Sequence, residues 1–213
     1  MGRWGLRLFE GDKDCDIACD LESTFEGDDE EKNLEFFDLV VFRDDGEEIV
    51  GEMRDRLDSG LCDELFDIYR AREKEYGGEY RVVILGALVM RTGARIRPSD
   101  LGHLRDLVSG TTCHRGYALP MFDNGFRGPG RAQFLAALDH YRPGVPRAYG
   151  PPSCFHCGKM KVDTGREPLE CPRCKLAFYC DVAGLSGKIV LEGNADVALR
   201  SGLPEGGSGA PRA

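Results

Sequence analysis

The sequence predicts a mainly α-helical protein: a helical N-terminal domain, then a small cysteine-rich module, then a disordered C-terminal tail. Three observations carry that expectation. Apolar residues between positions 60 and 142 recur at spacings of three and four, the period of a helix with one buried face. The segment "RPGVPRAYGPPS", 142–153, then breaks the pattern with prolines and glycines. Five of the nine cysteines crowd into 154–180, ahead of a Gly-rich polar end.

From the N-terminus onward, each element has a local reason. In "MGRWGLRLFE", Trp4 is expected to pack the start of the chain onto the helices. In "GDKDCDIACD", Asp12, Asp14 and Asp16 alternate as in a calcium loop. A calcium loop starting at Asp12 would need Gly where Ile17 stands and Glu where Ser23 stands. The expectation is instead that Asp12 or Asp14 caps a helix carrying Cys15, Ala18 and Cys19 on one face. "DLVVFRDDGEEIVGE" places β-branched residues on both sides of Asp45-Gly46 and predicts a short hairpin.

The helices that follow are better marked. In "GLCDELFDIYRAREKEYGG", Leu61, Leu65 and Ile68 repeat on one stripe with Cys62, Phe66 and Tyr69 beside them. Asp63 and Glu64 open the helix, Arg70, Arg72 and Lys74 close it, and Gly77-Gly78 ends it. Tyr80 to Ile96 is apolar nearly all round, which predicts a helix enclosed by others, stopped at Gly93. Ser99 is the expected N-cap of a third helix, with Leu101, Leu104 and Val108 on one face and Gly110 at its end. "FDNGFRGPGR" reads as a loop, without the Lys-Ser/Thr of a phosphate loop. "RAQFLAALDHYRPG" predicts a fourth helix, with Phe134, Leu135, Leu138 and Tyr141 inward and Pro143 at its end.

These boundaries divide the chain into a helical domain at 1–142, a Pro/Gly linker at 143–153, a cysteine module at 154–181 and a flexible tail at 182–213. Charge is uneven along it. Residues 1–75 hold 25 acidic and 10 basic side chains, a net of −15, which leaves +6 of the total −9 for 76–213. The acidic front repels nucleic acid, and the dispersed basic residues behind it form no stripe that would track phosphates. The start lacks the apolar run of a signal peptide, and "VVILGALVM" is about half the length of a membrane span. A cytoplasmic or nuclear location follows as the expectation, with reduced thiols and, at nine cysteines, no complete internal pairing.

Clustered reduced thiols point to metal. Zn²⁺ takes four thiolate or imidazole ligands in a tetrahedron, and a Cys-x-x-Cys turn brings two sulfurs to one ion. Cys154 and Cys157 form one such turn and Cys171 and Cys174 a second, with Cys180 six residues on. Gly158, Lys159 and Lys175 follow the pairs and suit tight knuckles whose amides face sulfur. A segment of this size, poor in large apolar side chains, cannot build its own core. A structural zinc supplies an apparent ~10–16 kcal/mol of folding free energy. His156, inside the first turn, reads as a bystander.

"CFHCGK…LECPRCKLAFYC" resembles the front of a MYND-type zinc finger: Cys154, Cys157, Cys171, Cys174, Tyr179 and Cys180 match the order of that pattern. The opening and the helical domain before it are similar to a mainly fungal type of protein, from which no activity carries over. The resemblance implies a cross-brace of two zincs, the first and third ligand pairs on one ion and the second and fourth on the other. Here Gly184 stands where Cys180 would find its partner, and no Cys or His follows Cys180. Two expectations remain open: Cys154, Cys157, Cys171 and Cys174 regroup around one zinc as in a ribbon, with Cys180 competing, or the chain is a truncated or alternatively spliced product.

The resemblance implies a binding protein with structural zinc and a groove for a protein or Pro-rich peptide. Saturated thiolate coordination would leave no open metal position for catalysis. The competing expectation is an enzyme of unknown reaction around Cys113 and His114, with His103 or His140 as base. No nucleophile elbow or oxyanion motif surrounds them.

Overall fold

The computed structural model describes residues 2–25, 34–41, 47–113 and 126–181. Among them helix dominates, in agreement with the mainly α class. The elements are α1 (Asp12–Glu22), α2 (Phe36–Val41), α3 (Glu47–Arg56), α4 (Cys62–Ala71), α5 (Gly78–Thr92), α6 (Pro98–Gly110), α7 (Gly128–His140) and the one-turn α8 (Lys161–Thr164). An antiparallel pair closes the described chain, β1 (Leu169–Glu170) with β2 (Phe178–Tyr179).

The core is built around α5. Val82, Val83, Ile84, Leu85, Ala87, Leu88, Val89 and Met90 are all 0% exposed, so no face of the helix between Val82 and Met90 meets water. Helices α1, α2, α3, α4, α6 and α7 all touch it. Each large aliphatic side chain enclosed in this way contributes about 1.5–3 kcal/mol, and the expected all-round burial is met. Gly93 stops the helix as the sequence predicts. It takes φ 74°, and its N–H donates to the Met90 and Val89 carbonyls.

The other helices dock by their predicted stripes. Leu61, Cys62, Leu65, Phe66 and Tyr69 are buried, and α3 runs into α4 through a π turn at Leu57–Leu61. Leu104 and Val108 of α6 and Phe134 and Leu138 of α7 face inward. Tyr80, Phe126 and Phe134 meet edge to face, at centroid distances of 5.3 and 6.2 Å. The N-terminal boundary of α6 differs from expectation. Arg97 occupies the N-cap position and Pro98 the first turn, where its fixed φ and missing N–H cost nothing. Asp100, fully buried, accepts from Arg70 Nη1 and Arg97 Nε at 2.6 Å each and so ties α4 to α6.

Four expectations are corrected. The hairpin at 38–52 is absent from its described parts: α2 and α3 occupy both flanks, and Asp45-Gly46 lies outside the described residues. Leu39 and Val50 pack into the helical core, and that burial outweighs the β preference of the local sequence. Asp14 is not a cap. Gly11 holds the N-cap position of α1, while Asp14 is 0% exposed and accepts from Phe9 N, Tyr80 Oη and the Arg3 guanidinium. The buried face of α1 is accordingly Asp14, Ile17, Ala18 and Leu21, with Cys19 outside. The Trp4 side chain is 55% exposed and is not part of the core; Arg3, Leu8 and Phe9 hold the N-terminal segment instead.

The fourth correction concerns 143–153, where the composition predicts an unpacked connector. Tyr149 is buried and stacks edge-on against Phe9 at 5.4 Å. The buried Gln133 accepts from Leu8 N and donates to the Tyr149 carbonyl, and Arg7 donates to the carbonyls of Gly150 and Pro151. Gly144 N donates to Gly93 O and Arg147 N to Met90 O. One aromatic anchor and a set of satisfied backbone groups outweigh the low intrinsic order of a Pro/Gly segment. The tail at 182–213 and the first four residues of the 122–131 loop lie outside the described residues; the rest of that stretch supplies buried Phe126 and, from Gly128, the start of α7 instead of loop.

Candidate metal centre

The two Cys-x-x-Cys turns share one backbone design. In the first, a bridge between Ser153 and Met160 closes the turn, Cys154 N donates to Lys159 O, and Gly158 N donates back to Cys154 O at 2.8 Å. In the second, the β1–β2 pair closes the turn, Cys171 N donates to Ala177 O, and Lys175 N donates back to Cys171 O at 2.9 Å. Gly158 and Lys175 occupy the same place, four residues after the first cysteine, and both are left-handed, at φ 72° and 55°. That geometry turns the amides of the turn toward sulfur. Glycine meets it without strain; lysine does not.

The knuckles differ in what they meet. Phe155 N donates to Phe178 O at 2.8 Å, which lays the first turn against β2 and carries Cys180 to it. The sulfurs of Cys154, Cys157 and Cys180 lie within 4.8 Å of one another, with Cys157 and Cys180 Sγ 3.4 Å apart. A tetrahedral zinc with Zn–S of about 2.3 Å sets its sulfurs about 3.8 Å apart, inside that spread. This grouping differs from the ribbon expectation. Cys171 and Cys174, both half-buried, stay outside this group of three, and Cys180 lies inside it.

The thiols of this group differ in their electrostatics. Burial opposes ionisation of Cys154, but N–H groups of Cys157, His156 and Cys180 and the Cys157 thiol outweigh it and hold the thiol below its ordinary range. Cys180 goes the other way. Burial, then contact with Cys157 and Cys154, pushes it up to about 12. Three sulfurs at this separation cannot all carry charge unaided, and a divalent cation reverses the balance. In the second knuckle, N–H groups of Cys174 and Arg173 pull Cys171 below its usual value. Tyr179, between the groups, is pushed up by burial and then by Cys171, Cys174 and Cys154.

The module is docked on the helical core. The αL backbone of Gly158 passes directly over α7: a Cβ there would sit 1.9 Å from Ala132 O and 2.1 Å from its carbonyl carbon. Arg147, 8% exposed, grips Asp163 of α8 through both carboxylate oxygens, the Nη2 contact at 2.7 Å, and His140 of α7 stands 4.0 Å from the same carboxylate. Burial raises the Asp163 carboxyl, but Arg147, Met160 N and His140 outweigh it and hold it below the ordinary carboxylate range. None of this docking was legible as motif. The only sequence signal was a glycine after a Cys-x-x-Cys turn.

The proposed enzyme residues are scattered among other partners. Cys113 lies 3.8 Å from Arg131 Nη1, His103 pairs with Glu73, and His140 faces Asp163; His114 lies outside the described residues. No described helix is long and apolar enough to cross a membrane. No protein-family model matches the chain, and neither curated proteins nor solved structures give a match.

Proposed function

We propose that 154–181 is a structural zinc finger resembling the first half of a MYND finger, with one ion on Cys154, Cys157 and Cys180, and that it serves recognition of a protein or Pro-rich peptide. The observation that carries this reading is the convergence of three thiols from two separate turns to within 4.8 Å. Isolated surface cysteines have no reason to assemble so, and three soft donors at this spacing favour zinc over hard cations. The three thiolates leave a fourth position, so the saturation argument against catalysis does not carry over. What favours a structural role is the docking: Gly158 lies on α7, and Arg147, tied to α5 through Met90 O, holds Asp163 of α8.

Zinc analysis of the reduced chain tests the metal. About one tightly held zinc per chain is expected on the first site, lost when Cys154 and Cys157 are changed to Ser. A metal content unaffected by those changes would refute it. Recognition is tested by titrating a Pro-rich peptide into zinc-loaded and chelated protein, with binding expected only to the former.

A further inference from the structure

We propose that the Cys171–Cys174 knuckle is half of a second zinc site, completed by the same knuckle of a second copy of the chain. The inference rests on the reading of the first site as zinc. It starts from the likeness of the two turns: an antiparallel closure, the same return hydrogen bond and a left-handed residue at the same position. The first turn finds its third thiol in Cys180. The second finds none among the described residues, and 181–213 contain neither Cys nor His.

A two-fold axis through the tip of the knuckle supplies what is missing. Two Cys171–Cys174 pairs make four thiolates, the full tetrahedral set for one zinc, by an isologous contact in which each copy gives the same residues. Each of the four thiols releases its proton to solvent on binding, which leaves two net negative charges at the centre. Arg173 and Lys175, both exposed, flank the sulfurs in each copy and offset them. The surroundings are built for contact as well. Leu176 is 64% exposed and Leu169 41%, an apolar pair beside the sulfurs that a second copy would cover. Exposed Glu170 stands close in sequence to Arg173 and Lys175, so the tip carries both signs and is complementary to itself.

Native mass spectrometry of the reduced, zinc-loaded chain is the test. The expected species is a dimer holding three zincs, one in each copy's first site and one shared, which chelation returns to monomers. The C171S/C174S double variant is expected to be a monomer with one zinc. Leu176→Glu, which keeps every ligand and lies outside the core, is expected to shift the dimer toward monomer by tenfold or more in dissociation constant. Wild-type monomers carrying one or two zincs overturn the proposal, as does a dimer that survives chelation or persists in the double variant. A double variant that dimerises no longer but also holds no zinc overturns the first-site reading instead, so the two failures are distinct.

Discussion

Substitution of Gly158 by alanine separates the docking of the finger from its local backbone. Gly158 and Gly165 are both left-handed, at φ 72° and 71°, so alanine at either carries the same conformational cost of about 1–2 kcal/mol. Their surroundings differ. A Cβ at Gly165 meets nothing within 4 Å, whereas at Gly158 it would lie 1.9 Å from Ala132 O, backbone of α7 that cannot swing aside. Ordinary contact begins at 3.4 Å, so the turn must retreat by 3.4 − 1.9 = 1.5 Å. A shift of that size breaks the two-pronged grip of Arg147 on Asp163, whose disruption by itself is worth about 3–5 kcal/mol for a buried pair. Gly165→Ala is therefore expected to lower stability by about 1–2 kcal/mol and zinc affinity by up to about tenfold. Gly158→Ala carries both costs and is expected to lose about 4–7 kcal/mol and a hundredfold or more in affinity, at about 1.4 kcal/mol per tenfold. Thermal unfolding of the zinc-loaded chain and chelator competition read the two quantities. Equal losses in the two variants would refute the docking argument.

Asp14→Asn removes the buried charge that Arg3 pairs with and is expected to cost about 3–5 kcal/mol in urea unfolding, against under 1 kcal/mol if the pair were superficial. Lys175→Gly relieves the left-handed strain of the second knuckle and is expected to gain up to about 1 kcal/mol; a loss of stability would mean that Lys175 makes contacts beyond its backbone role. Because the folded Asp163 value lies below the unfolded one, its stabilisation is complete at neutral pH and is lost as pH falls through about 4 toward the folded value. Asp163→Asn should flatten that acid limb, and an unchanged limb contradicts the pairing. In chelated protein at neutral pH, Cys171, held low, is expected to alkylate more than about tenfold faster than Cys180, held at about 12, although both lie at the surface. Cys62, buried and pushed up to about 12, should label last. Site-resolved mass spectrometry gives all three rates.

The helical core was legible wherever burial and local preference agree. The period of three and four from Leu61 to Tyr69 and the continuous apolar run of α5 translate directly into buried faces, and Gly93 stops its helix by a mechanism readable from one letter. At 38–52 the two signals conflict. Val40 and Ile49 favour extended backbone locally, but they pack against a core assembled from residues far along the chain, and that packing decides. The linker misled for the same reason. Its prolines and glycines describe an isolated chain, whereas Tyr149 and the donors Arg7 and Gln133 belong to the folded one. Asp14 shows the limit most plainly, since a carboxylate near a helix start reads as a cap until Tyr80, 66 residues away, is found to donate to it.

In the cysteine module the donors were legible and their grouping was not. Spacing identifies which sulfurs a turn brings together, because four residues fix the geometry of a knuckle. It does not say which third sulfur joins, because that depends on how one turn lies on another. Here a backbone bond, Phe155 N to Phe178 O, lays the first knuckle against β2, so that Cys180 just past the strand's end reaches Cys157 while Cys171 and Cys174 stay outside the group. The choice is topological: both knuckles have the same return hydrogen bond to their first cysteine, and the strand between Cys174 and Cys180 crosses from one to the other. That crossing brings Cys180 to Cys154 and Cys157 and leaves Cys171 and Cys174 outside the group.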